Sequence, residues 1–338
     1  MLLHRGLDSS SGASSFCDQL LSILRRPYDI KQKQLSLHFS IGGASHGGEP
    51  CAVHILLDFA HKALLSAKRA GLNKVAFFEQ SILVEYERRR LLTDRLHQAI
   101  ALGELKLYYQ SKFRLADNSL LGYEALLRWP QPDGSFVDPS EFIKVAEEAE
   151  LIIPLSRWVL CEVCMQISHW KQKGMPEKPV AVNISAAHFN GGTLEEDVQK
   201  ALREANIPAR LLELELTESL LLSDNETCHK TLKWLKSRGI RAYLDDFGTG
   251  YSSIAYLDTF GFDCIKLDRS FLSALLTDNK RQRLYEAVVQ MAHRLDLKVV
   301  AEGIETLPQL MCLRSMGVDM GQGYLLSRPC PPEDVAQL

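Results

Sequence analysis

Apolar positions recur along the first part of the chain with mixed helical and strand spacing. Phe16 to Leu24 has helical spacing, and Gln34 to Ile41 alternates apolar and polar residues like a strand that ends at Gly42-Gly43. Val53 to Ala70 places Leu56, Phe59, Ala60, Ala63, Leu64 and Ala67 on one face; Gly71 then offers a C-cap, and Val75 to Phe78 resumes a strand. The pattern predicts an incomplete β-α-β unit. A charged helix follows from Gln80 to Leu102, with Leu91, Leu92, Leu96, Ala99 and Ile100 as its apolar positions and Arg88-Arg89-Arg90 as a solvated linker face.

Beyond this helix short apolar runs end in polar residues and alternate with amphipathic helices. Leu105 to Tyr109 leads to Gln110, Leu120 to Tyr123 to Glu124, Val180 to Val182 to Asn183, and Leu212 to Leu214 to Glu215. Ile240 to Leu244 leads to Asp245, Cys264-Ile265 to Lys266, Val299 to Ala301 to Glu302, and Met320-Gly321 to Gln322. Between them, Thr193 and Glu196 suggest a capping box before Val198 and Leu202, Leu232 and Leu235 precede Gly239, and Val288, Val289, Ala292 and Leu295 form another stripe. Repeated β-α units in this number predict an α/β protein with a (β/α)8 barrel, in which polar residues at strand ends meet at one mouth. A single acid at a strand end is usually a solvated terminus. Six or seven acids, amides and a lysine are harder to explain that way.

Composition narrows the chemistry. The 338 residues are 46% apolar and 24% charged with a net charge of −3, so no basic field recruits a nucleic-acid polymer or an anionic membrane. No apolar run reaches the ~18 residues of a membrane span, and Met1-Leu2-Leu3 followed by His4-Arg5 lacks a signal peptide's apolar core. A cytoplasmic location without membrane contact is expected of this stretch. Cysteines at 17, 51, 161, 164, 228, 264, 312 and 330 are scattered, which reads as reduced thiols. Cys161 and Cys164 form a C-x-x-C inside a helical pattern with no second pair, a weak zinc or redox signal.

The stretch Tyr243 to Tyr251 then carries weight. Asp245 and Asp246 follow a short buried strand, and Gly248 and Gly250 allow a tight turn. Adjacent carboxylates repel unless a cation or a shared proton relieves them, although from the dipeptide alone a solvated Asp-Asp turn is the favoured reading. Together, Glu124, Asn183, Glu215, Asp245, Asp246 and Glu302 are oxygen donors without His or Cys. That set favours a hard divalent ion, Mg²⁺ or Mn²⁺, over zinc or copper. Five carboxylates can hold two ions, an arrangement suited to phosphoryl displacement, with Lys266 and Arg128 supplying positive charge.

Glu124-Ala125-Leu126-Leu127-Arg128-Trp129 resembles the signature of the EAL phosphodiesterases, which linearise cyclic di-GMP to pGpG. Tyr109-Gln110, Val182-Asn183-Ile184-Ser185, Glu215-Leu216-Thr217-Glu218-Ser219, Asp245 to Gly250, Lys266-Leu267-Asp268, Ala301-Glu302-Gly303-Ile304-Glu305 and Gln322-Gly323-Tyr324 follow in that family's order. The resemblance implies a barrel whose first strand is antiparallel. It implies metal ligation by Glu124, Asn183, Glu215, Asp245, Asp246 and Glu302, with Lys266, Glu302, Gln322 and Glu124 in the catalytic apparatus. Lys266 would orient or deprotonate the attacking water, and Gln322 would hold that water or Glu302. Gln110, Leu126, Arg128 and Asp268 would contact substrate. Glu218 would brace the loop from Phe247 to Ser253, a loop linked to homodimerisation in the family, and Glu305 would support Glu302. Ser111 and Glu150 depart from the proline and glycine common at those positions.

A second resemblance covers Ser40-Ile41-Gly42, Ala60, Ala63-Leu64, Ala67-Lys68, Gly71, Asn73 and Val75, which are similar to the C-terminal half of a GGDEF diguanylate cyclase domain. No Gly-Gly-Asp-Glu-Phe motif occurs, so cyclase activity is not expected. The expected organisation is a partial GGDEF-like unit over residues 1–80, a linker helix over 81–102 and an EAL domain over 88–338. Any sensor or membrane anchor of a longer parent would lie upstream. The alternative to an active phosphodiesterase is a silent receptor for cyclic di-GMP, whose mark would be loss of Glu124, Lys266 or the Asp pair; all are present.

Overall fold

The computed structural model describes residues 10–30, 33–45, 52–218, 220, 225–248, 257, 260–272 and 275–335. The chain divides into two compact units, Met1–Asp94 and Arg95–Leu338. In the first, the helix Ser10–Leu24 buries Cys17 and Leu21. Strands β1 (Tyr28–Ile30) and β2 (Lys33–Leu35) pair antiparallel, whereas β3 (Ile41–Gly43) and β4 (Val75–Phe77) pair parallel. Parallel neighbours require a crossover, and the helix Val53–Arg69 supplies it. Ala63 and Ala67 are buried on the predicted stripe. A Cβ on Gly42 would lie 2.2 Å from the Leu64 amide nitrogen, so strand and helix touch through backbone. The β-α-β unit is present, but the single strand expected over 34–41 is two strands interrupted at residues 36–40. The helix Gln80–Leu102 has the predicted span.

The second unit is a closed barrel. Its strands are β5 (Lys106–Arg114), β6 (Leu120–Pro130), β8 (Val180–Ile184), β9 (Leu212–Thr217), β10 (Arg241–Phe247), β11 (Cys264–Leu267), β12 (Lys298–Ala301) and β13 (Met320–Gly321). They follow the order β5-β13-β12-β11-β10-β9-β8-β6, and β5 pairs again with β6 to shut the ring; a short β7 (Phe136–Val137) hangs outside on β6. β5 is antiparallel to both neighbours, while the successive pairs from β6 through β13 are parallel. The reason is local. Residues 115–119 make a tight turn in which Asn118 adopts φ 57 and the Asp117 carboxylate accepts the Ser119 amide at 2.9 Å. Such a connection joins only antiparallel strands.

Strand lengths correct one expectation. Gln110 and Glu124 are not at strand ends; they are register partners inside the long β5–β6 pair, which runs from Lys106↔Arg128 through Ser111↔Tyr123 before its irregularity at Phe113. The Thr193 reading also needs correction. Thr193 is the N-cap of Leu194–Ala205, but its side chain makes no cap bond and accepts instead from Arg157 at 3.0 Å. A complete capping box occurs at Thr306 and Gln309, ahead of the helix Leu307–Ser315. Glu150, where glycine is common in the resembling family, sits at φ 59, a left-handed conformation that glycine adopts without strain.

The main core lies between the strands and the surrounding helices, with Val182, Leu214 and Ile265 from the sheet meeting residues such as Leu160, Val198 and Val289. A separate small cluster of Tyr243, Cys264, Val300 and Met320 comes from residues that alternate with these outward positions. Cys161 and Cys164 lie on the helix Ile152–Gln172, and burial pushes the Cys164 thiol up to about 12. Among the described residues no helix is long and apolar enough to cross a membrane.

One polar network secures the β8 return. Ser185 caps the short helix Ala186–Asn190 by accepting from the His188 amide at 3.2 Å. The His188 ring is fully buried between the Ser156 hydroxyl, 2.7 Å from Nδ1, and the Asp197 carboxylate, 3.0 Å from Nε2; Arg157 holds the same carboxylate oxygen at 2.7 Å. Burial lowers the His188 pKa, and the attraction of Asp197 only partly offsets this. A depressed histidine pKa leaves its stabilisation intact above the unfolded value of about 6.5 and removes it as pH falls through and below that value. Thermal melts between about pH 8 and pH 5 should therefore show a loss of stability on acidification that is shallower in His188→Gln. Parallel curves for the two proteins would contradict this role.

Candidate active site

Strand alternation builds the mouth of the barrel. On β6, Glu124, Leu126 and Arg128 share one face, and on β9 Glu213, Glu215 and Thr217 do. Cross-strand register sets Asn183 beside Glu215 and Asp245 beside Thr217. β10 then bends, its pairing to β11 shifting between Leu244 and Phe247, and Asp246 adopts φ 55 with its amide donating to Asp245 Oδ1 at 3.0 Å. The kink explains why two consecutive acids, which alternation would send to opposite faces, both belong to this region: Asp245 is buried and Asp246 exposed.

Lys266 stands at the centre. Its Nζ lies 2.6 Å from Glu215 Oε2, 2.7 Å from Glu302 Oε1, 3.2 Å from Asp245 Oδ1 and 3.5 Å from Glu124 Oε2. Amides complete the ring. Asn183 Nδ2 donates to Glu124 Oε1 at 2.9 Å, and Gln322 Nε2 donates to Glu124 Oε2 at 2.6 Å and to Glu302 Oε1 at 3.3 Å. The structure thus brings together Glu124, Asn183, Glu215, Asp245, Lys266, Glu302 and Gln322.

The charges are unbalanced, and the ionisations show it. Burial opposes charge on Lys266, but Glu124, Glu215, Glu302 and Asp245 outweigh it and drive its pKa well up. Lys266 is held as an ammonium that donates to the carboxylates around it. Burial would raise Glu124, yet Lys266 and the Gln322 amide hold it down at about 2. Glu302 is pushed up to about 7 by burial, with Lys266 countering and Asp245 and Glu124 adding repulsion. Glu215 is raised well above its usual range by burial and then by the Glu124 charge, and Asp246 by burial and then by Asp245. One ammonium cannot neutralise this many carboxylates.

A hard cation fits what remains. Every donor is oxygen, and Glu215 Oε1 and Gln322 Oε1 are buried without a hydrogen-bond partner among the described residues. As the side chains stand they face Lys266, and no group of three His, Cys, Asp or Glu side chains among the described residues is arranged as an ion's ligand set. Binding an ion would require the carboxylates to turn from the ammonium.

The remaining expected residues lie around this cluster. Gln110 is buried with its amide donating to the Ser327 carbonyl at 2.9 Å. Arg128 donates to the Leu127 carbonyl at 2.8 Å and lies over the Tyr108 ring, and Leu126 is half-buried. The Asp268 carboxylate caps the turn Arg269–Phe271 by accepting the Ser270 amide at 2.9 Å. Glu218 accepts the Gly248 amide at 3.2 Å. Gly248 itself has φ +91, and a Cβ there would come within 2.3 Å of the Phe271 ring. Thr249 to Ser253, including the second expected hinge Gly250, fall outside the described residues. Glu305 is exposed, its amide bonded to Gln309, and among the described residues no hydrogen bond links it to Glu302.

Sequence reasoning missed the layer beneath. Lys112, Glu213 and Tyr243 each precede or follow a site residue by two positions, so period-two alternation places them on the same inward faces as Gln110, Glu215 and Asp245. Lys112 Nζ is 2.7 Å from Glu213 Oε2.

The fold and the site together are a closed barrel with an antiparallel first strand and a mouth of acids, amides and a lysine. Residues 93–329 match the EAL domain profile, and the chain belongs to the EAL domain family. It is 35% identical over 323 residues to the bifunctional diguanylate cyclase/cyclic di-GMP phosphodiesterase MucR of Pseudomonas aeruginosa, covering 96% of this chain and 47% of MucR. Identity to the cyclic di-GMP phosphodiesterase NbdA of the same organism is 36% over 315 residues, covering 93% of this chain and 40% of NbdA. The chain spans less than half the length of these two relatives. A solved PaMucR phosphodiesterase in complex with c-di-GMP is similar at a TM-score of 0.69 and 37% identity, covering 72% of this chain and 99% of that one.

Gly323 offers a test of how the Gln322 amide is held. A Cβ at Gly323 would lie 2.2 Å from both the amide nitrogen and the carbonyl oxygen of Ile304, while the Gln322 carbonyl accepts the Ile304 amide at 3.1 Å. Gly323→Ala should cost about 1–3 kcal/mol in urea unfolding because backbone must separate. An unchanged midpoint and slope would show that the segment yields freely.

Proposed function

We propose that the barrel hydrolyses cyclic di-GMP to linear pGpG with the help of two Mg²⁺ or Mn²⁺ ions. The observation that carries this reading is the convergence of Glu124, Glu215, Asp245 and Glu302 on Lys266, with the Asn183 and Gln322 amides, in a chain of the EAL family. The relatives MucR and NbdA carry cyclic di-GMP phosphodiesterase in their names, and the PaMucR phosphodiesterase structure holds c-di-GMP. In the reaction, water oxygen bonds to phosphorus, the bond from phosphorus to the ribose 3′ oxygen breaks, and that oxygen takes up a proton. Bound divalent ions would neutralise the carboxylates and supply Lewis acidity toward the phosphodiester.

The chain's own groups divide the remaining work. Glu124, Asn183, Glu215, Asp245, Asp246 and Glu302 would hold the ions. Lys266, held as an ammonium, orients water or a phosphoryl oxygen and offsets developing negative charge. Gln322 donates to Glu302 and to Glu124 and fixes the two carboxylates beside each other. Arg128, Leu126, Gln110 and Asp268 surround the substrate, and Glu218 steadies the β10 turn through Gly248. We further infer that residues 1–80 derive from a GGDEF-like domain, that the barrel pairs as a homodimer, and that the protein works in the cytoplasm.

Incubation with cyclic di-GMP and Mg²⁺ or Mn²⁺, followed by chromatography, should yield pGpG. Binding without product would identify a receptor instead. Glu124→Ala should lower turnover by on the order of a hundredfold or more, since it removes an ion ligand and the anchor of both amides. Near-normal turnover would count against the assignment. Lys266→Ala should slow the chemical step by about 10²–10³ while substrate still binds. It should also lower the melting temperature in chelator and recover part of it with Mg²⁺, because the carboxylates then lack any cation. A melting temperature indifferent to Mg²⁺ would remove that explanation.

A further inference from the structure

The barrel interior below the mouth is not filled by apolar side chains alone. Lys112 on β5 is about as buried as any residue in the protein, at 1% exposure, and Glu213 on β9 is equally buried. Their ion pair, 2.7 Å long, lies against the Tyr243 ring. Interiors of such barrels are ordinarily packed with branched apolar residues. A buried ion pair is weak evidence for stability, since apolar replacement is often neutral or stabilising. Some other requirement must account for the placement.

Geometry supplies one. Glu213 is fixed by Arg241, its register partner on β10, 2.5 Å from its Oε1, and Lys112 is fixed by Glu213 and by the Tyr243 ring, whose centroid is 4.5 Å from Nζ. The Lys112 ammonium consequently points upward at Glu215, 3.6 Å from Oε1. Glu215 is thus held between two ammonium groups, Oε2 on Lys266 and Oε1 toward Lys112. Among the described residues its Oε1 has no hydrogen-bond donor, and Lys112, 3.6 Å away, acts on that atom by charge. A carboxylate with a cation facing each oxygen has a defined orientation, as Glu124 has from an amide at each of its oxygens.

We propose that Lys112, held by Glu213 and Arg241, is a positioning residue that orients Glu215 for divalent-ion binding and catalysis. This rests on the reading of Glu215 as an ion ligand. Lys112 is one strand layer below the mouth and acts through Glu215, so its removal should alter ion affinity and turnover but not substrate affinity.

The test is the paired substitution Lys112→Gln with Glu213→Gln, which keeps a hydrogen-bonded pair of similar size and leaves the net charge of the pair at zero. Mn²⁺ binding is measured by titration calorimetry in the absence of nucleotide, and kcat and KM for cyclic di-GMP are measured at saturating Mn²⁺. The expected result is about a tenfold loss of Mn²⁺ affinity, a comparable fall in kcat and a KM within about twofold of wild type, the scale seen when the partner of a metal ligand is removed. Unchanged Mn²⁺ affinity and kcat in a variant with native circular dichroism would overturn the proposal while leaving the phosphodiesterase reading intact. A wild-type chain that neither binds Mn²⁺ nor forms pGpG would overturn both. If the paired variant does not fold, Lys112→Arg serves: it keeps the cation, so Mn²⁺ affinity within about threefold of wild type supports the proposal, and a tenfold loss with an intact fold contradicts it.

Discussion

Repulsion among carboxylates is the constraint around which the barrel mouth is built. Four acids that are remote in sequence are held by four different strands within 3.5 Å of one nitrogen, the Nζ of Lys266. Assembling them costs desolvation of every charge, and the attraction of a single ammonium offsets only part of it. The opposed shifts of Glu124, held low, and Glu302 and Glu215, pushed high, are the signature of that deficit. A site in this condition has two ways to relax: take up protons or take up cations. The oxygen-only donor set selects hard divalent ions for the second.

Lys266 offsets part of the repulsion among the acids gathered around it. An arginine would suit this place less well, because its planar fork would tie down two carboxylate oxygens in a fixed geometry. A compact ammonium on a flexible stem accepts several partners at different distances, as the spread from 2.6 to 3.5 Å shows. The amides serve the complementary purpose. Asn183 and Gln322 fix Glu124 by a hydrogen bond to each of its oxygens.

Much of this was legible in the chain because burial leaves a period-two imprint. Asn183, Glu215, Lys266, Glu302 and Gln322 each follow a short apolar run, and that is enough to place them at strand ends near one mouth. Gln110 and Glu124 were harder. They lie inside long strands, since β5 and β6 form an antiparallel hairpin whose mutual pairing extends beyond the barrel's shared length. Thr193 misled because its hydroxyl serves Arg157 on a neighbouring helix, a tertiary preference that no local spacing reveals. Lys112 and Glu213 went unread for a different reason: a charged residue inside a strand looks solvent-facing until its partner, about a hundred residues away, is known to share the same interior.

The antiparallel β5 makes that interior pair possible. In a barrel of eight identical β-α units each strand enters from the bottom, and its last residue meets the mouth. Because β5 enters from the mouth and descends, Gln110 lies level with Glu124 and Lys112 lies level with Gly122 one step lower. At that level Gly122 lets β6 approach the Pro179 carbonyl oxygen, which a Cβ would meet at 2.5 Å, and Glu213 across the interior receives the lysine's charge. The hairpin turn at 115–119 therefore determines more than strand direction: it brings a cation under Glu215 from a strand that the regular repeat would have oriented the other way.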